Sequence, residues 1–218
     1  MELNGKKVVF LGDSITEGYG TSHEDAIYWH VLEGLTGAEC VGNGIGGTRI
    51  APQRTPSENP VIDRCFAQRI CELPKDADVV AVFGGTNDFG HGDAPFGSLS
   101  DREETSFCGA CHVLMQRLLE TYPDALIVVI TPLPRSHESA TGSNELGFPR
   151  DHTLEEYVDA IIAIAGYYGL PVLDLFRTSG LQPAVKIIRS RFMPDGLHPN
   201  DLGHAKIANR LAAFLGSL

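Results

Sequence analysis

A serine near the start of the chain and a histidine near its end are the residues best suited to chemistry. Ser14 follows a short apolar run, and His198 lies in the segment Asp195-Gly196-Leu197-His198-Pro199. An imidazole titrates near neutral pH and can take the proton of a serine hydroxyl, which makes that oxygen a nucleophile. Asp195 lies three residues before His198, so a turn at Gly196 would let its carboxylate hold Nδ1–H. These residues predict acyl transfer, with Ser14 as nucleophile, His198 as base and Asp195 as orienting acid.

Acyl transfer also needs hydrogen-bond donors for the negative oxygen of the tetrahedral intermediate. Asn87, in Gly84-Gly85-Thr86-Asn87-Asp88, is the candidate side-chain donor. The glycine cluster at 42–47 can supply a backbone N–H from Gly46 or Gly47, and Ser14 can supply its own. We therefore expect these segments to meet around one oxygen.

Each motif also has a plain structural interpretation. Ser14 could simply cap a helix, because serine accepts hydrogen bonds from the free N–H groups at helix starts. Asn87 and the glycine cluster also suit tight turns. The segment 195–198 would equally suit a polar loop that enters a helix. The chemical interpretation therefore depends on the fold that joins the motifs.

The elements that must position these residues alternate between strands and helices. Short apolar runs predict buried strands at 6–11, 39–41, 78–83, 125–130 and 171–173. The alternation predicts an α/β fold in one domain over 1–218, a three-layer α/β/α, flavodoxin-like doubly wound five-stranded parallel sheet. Such sheets place ligands at the carboxyl ends of their strands, where Ser14, Gly47 and Asn87 lie.

Apolar spacing predicts the helices between these strands. They are expected at about 25–35, 61–71, 107–122, 154–165 and 201–215. Two pairs of residues have the spacing of a capping box: Ser100 with Glu103, and Thr153 with Glu156. The loops expected at the carboxyl edge, which would surround a cleft, are 48–60, 86–100, 132–152 and 177–193.

Composition excludes several classes of partner. The formal net charge is −11, from 17 Lys plus Arg and 28 Asp plus Glu. Such a surface repels phosphate and anionic lipid, so we expect neither a nucleic-acid nor a membrane partner. Five irregularly spaced cysteines, no room for a signal peptide and no apolar stretch of about 20 residues predict a cytoplasmic protein. All amphipathic helices can be explained as facing the core, so the sequence does not indicate the oligomeric state.

Together, the four motifs resemble the blocks of the SGNH hydrolase superfamily, also called GDSL esterases and lipases. The resemblance runs from residue 6 to about 205, although Ile15 stands where the name-giving leucine usually lies. It implies a flavodoxin-like fold and ester hydrolysis through an acyl-enzyme, without a metal or cofactor. Carried onto this chain, it implies a catalytic set and an oxyanion hole: Ser14, Asp195 and His198, then the Ser14 N–H, the Gly47 N–H and Asn87 Nδ2.

Polar residues dominate the predicted rim and indicate a small-molecule ester with a hydrophilic alcohol. The rim residues are His91, Asp93, Arg135, His137, Glu138, Asn144 and Arg150. We favour short acyl groups such as acetyl, with carbohydrate esters as candidates; a thioesterase or a lysophospholipase is the alternative. Asp13, Asp88 and His91 are assigned to substrate binding, although bracing of turns is the favoured role of the two aspartates.

Other classes of protein remain open from sequence. The segment 42–47 matches Gly-x-Gly-x-x-Gly, the dinucleotide fingerprint, but Pro52 and Pro56 stand where its helix should open. Cys108 and Cys111 suggest zinc or redox chemistry, yet no second pair follows. We expect these two, with Cys40, Cys65 and Cys71, to be buried small hydrophobic residues. A binding module that kept the fold without activity is the non-enzymatic alternative.

Overall fold

One five-stranded sheet forms the centre of the protein. The computed structural model describes residues 1–140, 142–145 and 147–218, so residues 141 and 146 of the predicted loop 132–152 lie outside the described residues. The strands are β1 (Lys7–Gly12), β2 (Glu39–Gly44), β3 (Val79–Phe83), β4 (Leu126–Ile130) and β5 (Val172–Leu173). Neighbouring strands are parallel, in the order β2-β1-β3-β4-β5. This is the flavodoxin-like order, and it confirms the predicted fold class.

Helices connect the strands and cover both faces of the sheet. They are α1 (Ser14–Glu17), α2 (Tyr28–Thr36), α3 (Phe66–Arg69), α4 (Thr86–His91), α5 (Phe107–Thr121), α6 (Leu154–Tyr167), α7 (Leu175–Thr178), α8 (Lys186–Phe192) and α9 (Asp201–Ser217). Among the described residues, no helix combines the length and apolar character needed to cross a membrane.

Alternate residues of β1 build two separate cores. Val9 and Leu11 pack on one side with residues of α5 and α6. Val8 and Phe10 pack on the other side with residues of α2 and α9. Successive side chains of a strand point to opposite faces, so a strand covered on both sides is apolar throughout. The same property made β1 visible in the sequence.

Two helix boundaries predicted from sequence are wrong. The helix expected over 61–71 begins only at Phe66, and a 3-10 turn over Ile70–Glu72 follows it. Before it, Asn59 Oδ1 accepts the Val61 N–H at 3.1 Å, which replaces a helical bond with a local turn. The proposed Ser100 capping box is also absent. Ser106 caps α5 instead, where its hydroxyl accepts the Gly109 N–H at 3.2 Å.

Other segments contain more helix than their sequence indicates. The predicted loop 86–100 begins with α4, and 177–193 contains the end of α7 and all of α8. No residue of α8 is fully buried, so it has no apolar stripe to reveal it. The helix expected over 25–35 is split into a 3-10 turn, Glu24–Ala26, and α2.

The cysteines and the glycine cluster are the motifs that carried the alternative interpretations. Cys40, Cys65, Cys108 and Cys111 are buried, but Cys71 is exposed, against our expectation. It lies in the 3-10 turn that ends the short α3 segment.

The glycine cluster at 42–47 continues β2 through Gly44, and the next described helix is α3. No helix therefore opens at the third glycine, as a dinucleotide fingerprint requires.

A buried histidine joins α9 to the start of α2. His204 is fully buried, and its Nδ1 accepts the Tyr28 N–H at 3.1 Å. Burial lowers the pKa of His204 to about 4 from its usual value of 6.5. Between these two pH values the unfolded chain binds a proton that the folded chain does not. The stability of the fold therefore falls as the pH drops from 6.5 towards 4.

We expect His204→Asn to reduce this pH dependence, because the asparagine oxygen can accept the same backbone N–H. Between pH 7 and pH 4, the wild type should lose on the order of 3 kcal/mol more unfolding free energy than the variant. Urea unfolding at both pH values measures this difference. The contributions of all other titrating groups are the same in the two proteins, so they cancel when the loss in the variant is subtracted from the loss in the wild type. Equal losses would assign the acid sensitivity to groups other than His204.

Candidate active site

Ser14 is the first residue of α1, directly beyond the carboxyl end of β1. The N-cap of this helix is Asp13, whose Oδ1 accepts the Ile15 N–H at 3.0 Å. The interpretation of Ser14 as only a cap is therefore wrong. Its side chain does not cap the helix; instead, Ser14 Oγ lies 3.1 Å from His198 Nε2. The residue as a whole is 8% exposed.

A left-handed turn brings Asp195 against His198. Gly196 has a φ of +81°, and a Cβ on it would lie 1.9 Å from Ser136 Oγ, so this position requires glycine. Asp195 Oδ2 lies 2.6 Å from His198 Nδ1. The other oxygen, Oδ1, accepts the N–H groups of Leu197 and His198 at 2.9 and 2.8 Å. Both carboxylate oxygens are therefore used to hold the imidazole and its own backbone.

The charge of Asp195 is maintained by these hydrogen bonds. Burial raises the pKa of its carboxyl, but the bonds from the Leu197 N–H and from His198 outweigh burial and lower it below the usual value. A negative carboxylate against Nδ1 favours the tautomer with a proton there, which leaves Nε2 able to accept one. The arrangement can thus draw a proton from the Ser14 hydroxyl.

Three N–H groups in the segments that follow β1, β2 and β3 have hydrogens left to donate. Asn87 lies in the first turn of α4, and its Nδ2 donates one hydrogen to the Thr48 carbonyl at 2.9 Å, which leaves its second hydrogen. Gly46 N–H is already used by Glu17 Oε2 at 2.9 Å, whereas the Gly47 N–H has no hydrogen-bond acceptor within the described ranges. The Ser14 N–H lies in a first helical turn, where no intrahelical acceptor exists.

Two predicted substrate-binding aspartates face the protein backbone. Asp88 is 5% exposed, and its carboxylate accepts the Ile50 and Ala51 N–H groups at 3.0 and 2.8 Å. Burial raises its pKa to about 6, and burial likewise raises that of Asp13 to about 7. These contacts are those of residues that brace turns. Contact with a substrate stays a prediction for both.

His91, the third predicted substrate residue, is held by an arginine. Its Nδ1 lies 2.9 Å from Nη1 of the buried Arg49. Burial and then the arginine charge lower the pKa of His91 to about 4, so the imidazole is neutral at pH 7. Since the guanidinium can only donate, His91 Nδ1 accepts, and the proton lies on Nε2. Its contact with substrate remains a prediction.

Several residues near the site were missed from sequence. The ring of Tyr19 lies 4.3 Å from that of His198, centroid to centroid, although Tyr19 is 61% exposed. Glu17 holds the Gly46 N–H, and Arg49 holds His91. Arg69 is fully buried behind the strand ends. No sequence pattern distinguishes these residues from solvated ones, because each acts through a partner distant in the chain.

A polar cavity of about 460 Å³ adjoins the Asp195 turn. It is lined by Arg135, Ser136, His137, Glu145, Pro183, Ala184, Arg189, Asp195, Gly196 and Leu197. Arg135 is itself buried and donates to the Thr86 carbonyl at 3.1 Å and to Glu145 at 2.7 Å. Two residues of the predicted rim, Arg135 and His137, thus lie beside the histidine–aspartate pair.

The five-stranded parallel sheet with helices on both faces is an α/β fold of the SGNH/GDSL class. The chain belongs to the GDSL-like lipase/acylhydrolase family, whose profile matches residues 10–206. Membership confirms the resemblance seen in the motifs, and it supports an ester-hydrolysing enzyme.

Solved structures are similar to the chain over its whole length. A protein from Lactobacillus plantarum is 32% identical, with a TM-score of 0.81 and 98% of each chain covered. Another solved structure is 31% identical, with a TM-score of 0.86, and covers 100% of this chain and 99% of its own. The M. smegmatis aryl esterase, 20% identical with a TM-score of 0.66, covers 98% and 100% and shows a shared fold. No match was found among curated proteins.

Proposed function

We propose that the protein is a serine esterase that hydrolyses carboxylic esters through an acyl-enzyme. One observation carries the proposal: Ser14 Oγ, the His198 imidazole and the Asp195 carboxylate form a continuous chain, with distances of 3.1 and 2.6 Å. A nucleophile, a base and a group that orients the base are the parts that acyl transfer requires. The free N–H groups near Ser14 supply the fourth part, the oxyanion hole.

In the first half-reaction, Ser14 Oγ attacks the ester carbonyl carbon while His198 Nε2 accepts the hydroxyl proton. The carbonyl oxygen becomes negative and accepts hydrogen bonds from the Ser14 and Gly47 N–H groups and from Asn87 Nδ2. The tetrahedral intermediate then collapses. The bond to the alcohol oxygen breaks, His198 returns its proton to that oxygen, and the acyl group stays on Ser14.

In the second half-reaction, water replaces the alcohol. His198 Nε2 takes a proton from the water, whose oxygen attacks the acyl-enzyme carbonyl. Collapse of the second intermediate breaks the bond to Ser14 Oγ, which regains the proton from His198. Throughout, Asp195 stays ionised and stabilises the transient imidazolium.

Charge and polarity near the site support a short acyl group on a hydrophilic alcohol. The cavity beside the Asp195 turn is lined by charged residues such as Arg135, Glu145 and Arg189. Burying a long apolar acyl chain against such groups would remove their water without offering hydrogen bonds in its place, which is costly. Hydroxyl groups of a carbohydrate, by contrast, can bind them directly. We therefore propose acetyl esters, including those of sugars, as the substrate class.

A chain-length series tests this proposal. With p-nitrophenyl esters from C2 to C12, we expect kcat/KM to be highest for acetate and to fall at least about tenfold by C8. Acetylated monosaccharides should also release acetate. Protein carrying Ser14→Ala, prepared in parallel, corrects for spontaneous and contaminating hydrolysis. A maximum at C8–C12 would favour a lysophospholipase, faster turnover of acyl thioesters would favour a thioesterase, and no Ser14-dependent turnover would favour a binding module.

A further inference from the structure

Arg69, at the end of α3, is a fully buried cation that forms no salt bridge with the described residues, although the charges of Asp13 and Glu17 are near enough to raise its pKa. Its side chain is 0% exposed, and no carboxylate oxygen of the described chain lies within 4.0 Å of its guanidinium nitrogens. Burial lowers the pKa of Arg69 to about 10, so the group remains charged at neutral pH. A buried charge is costly unless hydrogen bonds satisfy it, so the bonds that Arg69 makes indicate why it is there.

The guanidinium donates to three segments that lie at the carboxyl edge of the sheet. Nη1 donates to the carbonyl of Gly12, the last residue of β1, at 2.9 Å, and to Thr48 Oγ1 at 2.8 Å. Nε donates to Asn43 Oδ1, near the end of β2, at 3.2 Å, and Nη2 donates to the Asn43 carbonyl. One planar side chain therefore joins the ends of β1 and β2 to the loop that follows β2.

Two of these acceptors, Gly12 and Thr48, lie within two residues of a proposed oxyanion donor. Gly12 lies two residues before Ser14. Thr48 follows Gly47, and the Thr48 carbonyl accepts a hydrogen from Asn87 Nδ2 at 2.9 Å. Arg69 thus contacts the supports of all three donors, and its side chain is itself buried from solvent.

We propose that Arg69 is the positioning residue of the oxyanion hole. It holds the segments that carry the Ser14 N–H, the Gly47 N–H and Asn87 Nδ2 in one geometry, and it places a fixed positive charge behind the developing oxyanion. The inference rests on the proposed function, because it assigns a role within the same site. A lysine cannot replace it, since an ammonium is a compact charge without the planar fork that reaches three segments.

Arg69→Met and Arg69→Lys should lower kcat for p-nitrophenyl acetate by about 10²-fold, the usual cost of losing an oxyanion-hole donor. KM should change little, because the donors act on the transition state. Binding of phenylboronic acid, which forms a negative tetrahedral adduct with a serine hydroxyl, should weaken in proportion to kcat. Thr48→Val, which removes one acceptor of Arg69 but keeps the carbonyl that Asn87 needs, should give a smaller loss of the same kind.

A double-mutant cycle separates positioning from general destabilisation. Asn87→Ala alone should lower kcat by about 10²–10³-fold, and adding Arg69→Met should lower it far less than the product of the two losses. Leu118→Ala is the matched control. Leu118 is fully buried near the end of α5 that leads into β4, at the opposite edge of the sheet, so it should lower thermal stability and spare kcat.

The outcomes distinguish this inference from the proposed function. Wild-type protein without Ser14-dependent turnover or boronate binding would overturn both. Two results with an active wild type would overturn the role of Arg69 alone. The Arg69 variants could keep the wild-type kcat, or they could lose kcat without a matching loss of phenylboronic acid binding. Should the Arg69 variants fail to fold, Thr48→Val decides: unchanged kcat and boronate affinity in that variant would also overturn it.

Discussion

Ser14→Ala should lower kcat/KM for ester hydrolysis by at least about 10⁴-fold and leave thermal unfolding nearly unchanged. The substitution removes the only atom that can form the acyl-enzyme, and the remaining donors cannot replace a nucleophile. Stability should be spared because α1 is capped by Asp13 rather than by Ser14. The only side-chain hydrogen bond that the Ser14 hydroxyl makes within the described residues is the one to His198, at 3.1 Å. Initial rates with p-nitrophenyl acetate and a melting curve of the same sample measure both quantities.

A second serine at a helix start provides the opposite control. Ser106 is the true N-cap of α5: its hydroxyl accepts the Gly109 N–H at 3.2 Å and donates to Asp101 at 2.7 Å. Ser106→Ala should therefore cost about 1 kcal/mol of stability and leave kcat/KM unchanged. Ser14→Ala should thus lose kcat/KM and keep its stability, whereas Ser106→Ala should lose stability and keep its kcat/KM. Retention of turnover within tenfold in Ser14→Ala, with lost stability, would show that Ser14 is structural.

The sheet was predictable because its strands are buried on both faces. Runs such as Val79–Phe83 are apolar throughout, and their alternation with helical patterns leaves a parallel, doubly wound order as the simplest arrangement. The long helices α5, α6 and α9 were visible for the same reason, since each buries a continuous stripe. Short helices such as α7 and α8 bury too little to leave a pattern.

The position of Ser14, Gly47 and Asn87 at one edge of the sheet was also predictable from the strand order. The approach of His198, which α7 and α8 separate from β5, was expected only from the motif resemblance, and the supports of the site were not predictable. Residues that follow parallel strands must meet at one edge of the sheet, whatever lies between them in sequence. Arg49 and Arg69 are hidden in a different way, because full burial of an arginine depends on carbonyl and side-chain oxygens from distant segments. A helical pattern around Arg69 indicates a solvated cation, and only the fold shows otherwise.

Capping shows how local chemistry can mislead. Ser100 with Glu103 has the spacing of a capping box, but Asp101 instead accepts the Ser98 N–H at 3.0 Å and organises a turn before the helix. Thr153 with Glu156 has the same spacing and forms the box, because α6 begins directly after it. The spacing of a serine or threonine and a glutamate therefore identifies candidate capping boxes. Where the helix begins in the folded protein decides which candidate forms.

Asp195→Asn should lower kcat/KM by about 10⁴-fold, more than the complete removal of the carboxylate in Asp195→Ala. In the native protein, Oδ1 accepts two backbone N–H groups, from Leu197 and His198, which only an oxygen can do. The asparagine oxygen must therefore occupy this position, and its NH₂ group then faces His198 Nδ1. This donor forces Nδ1 to accept and places the ring proton on Nε2, so His198 can no longer take a proton from Ser14.

Asp195→Ala leaves the tautomer free. The Asp195 side chain is 48% exposed, so water can accept the Nδ1 proton in its place, and the loss should be limited to orientation and charge, about 10²–10³-fold. The order of the two variants is the diagnostic result, measured as kcat/KM for p-nitrophenyl acetate at pH 8, with melting curves to show that both are folded. Asparagine activity at or above that of alanine would mean that Asp195 does not select the tautomer of His198. The histidine would then act as a base without a fixed partner, and the 2.6 Å contact would only shape the turn.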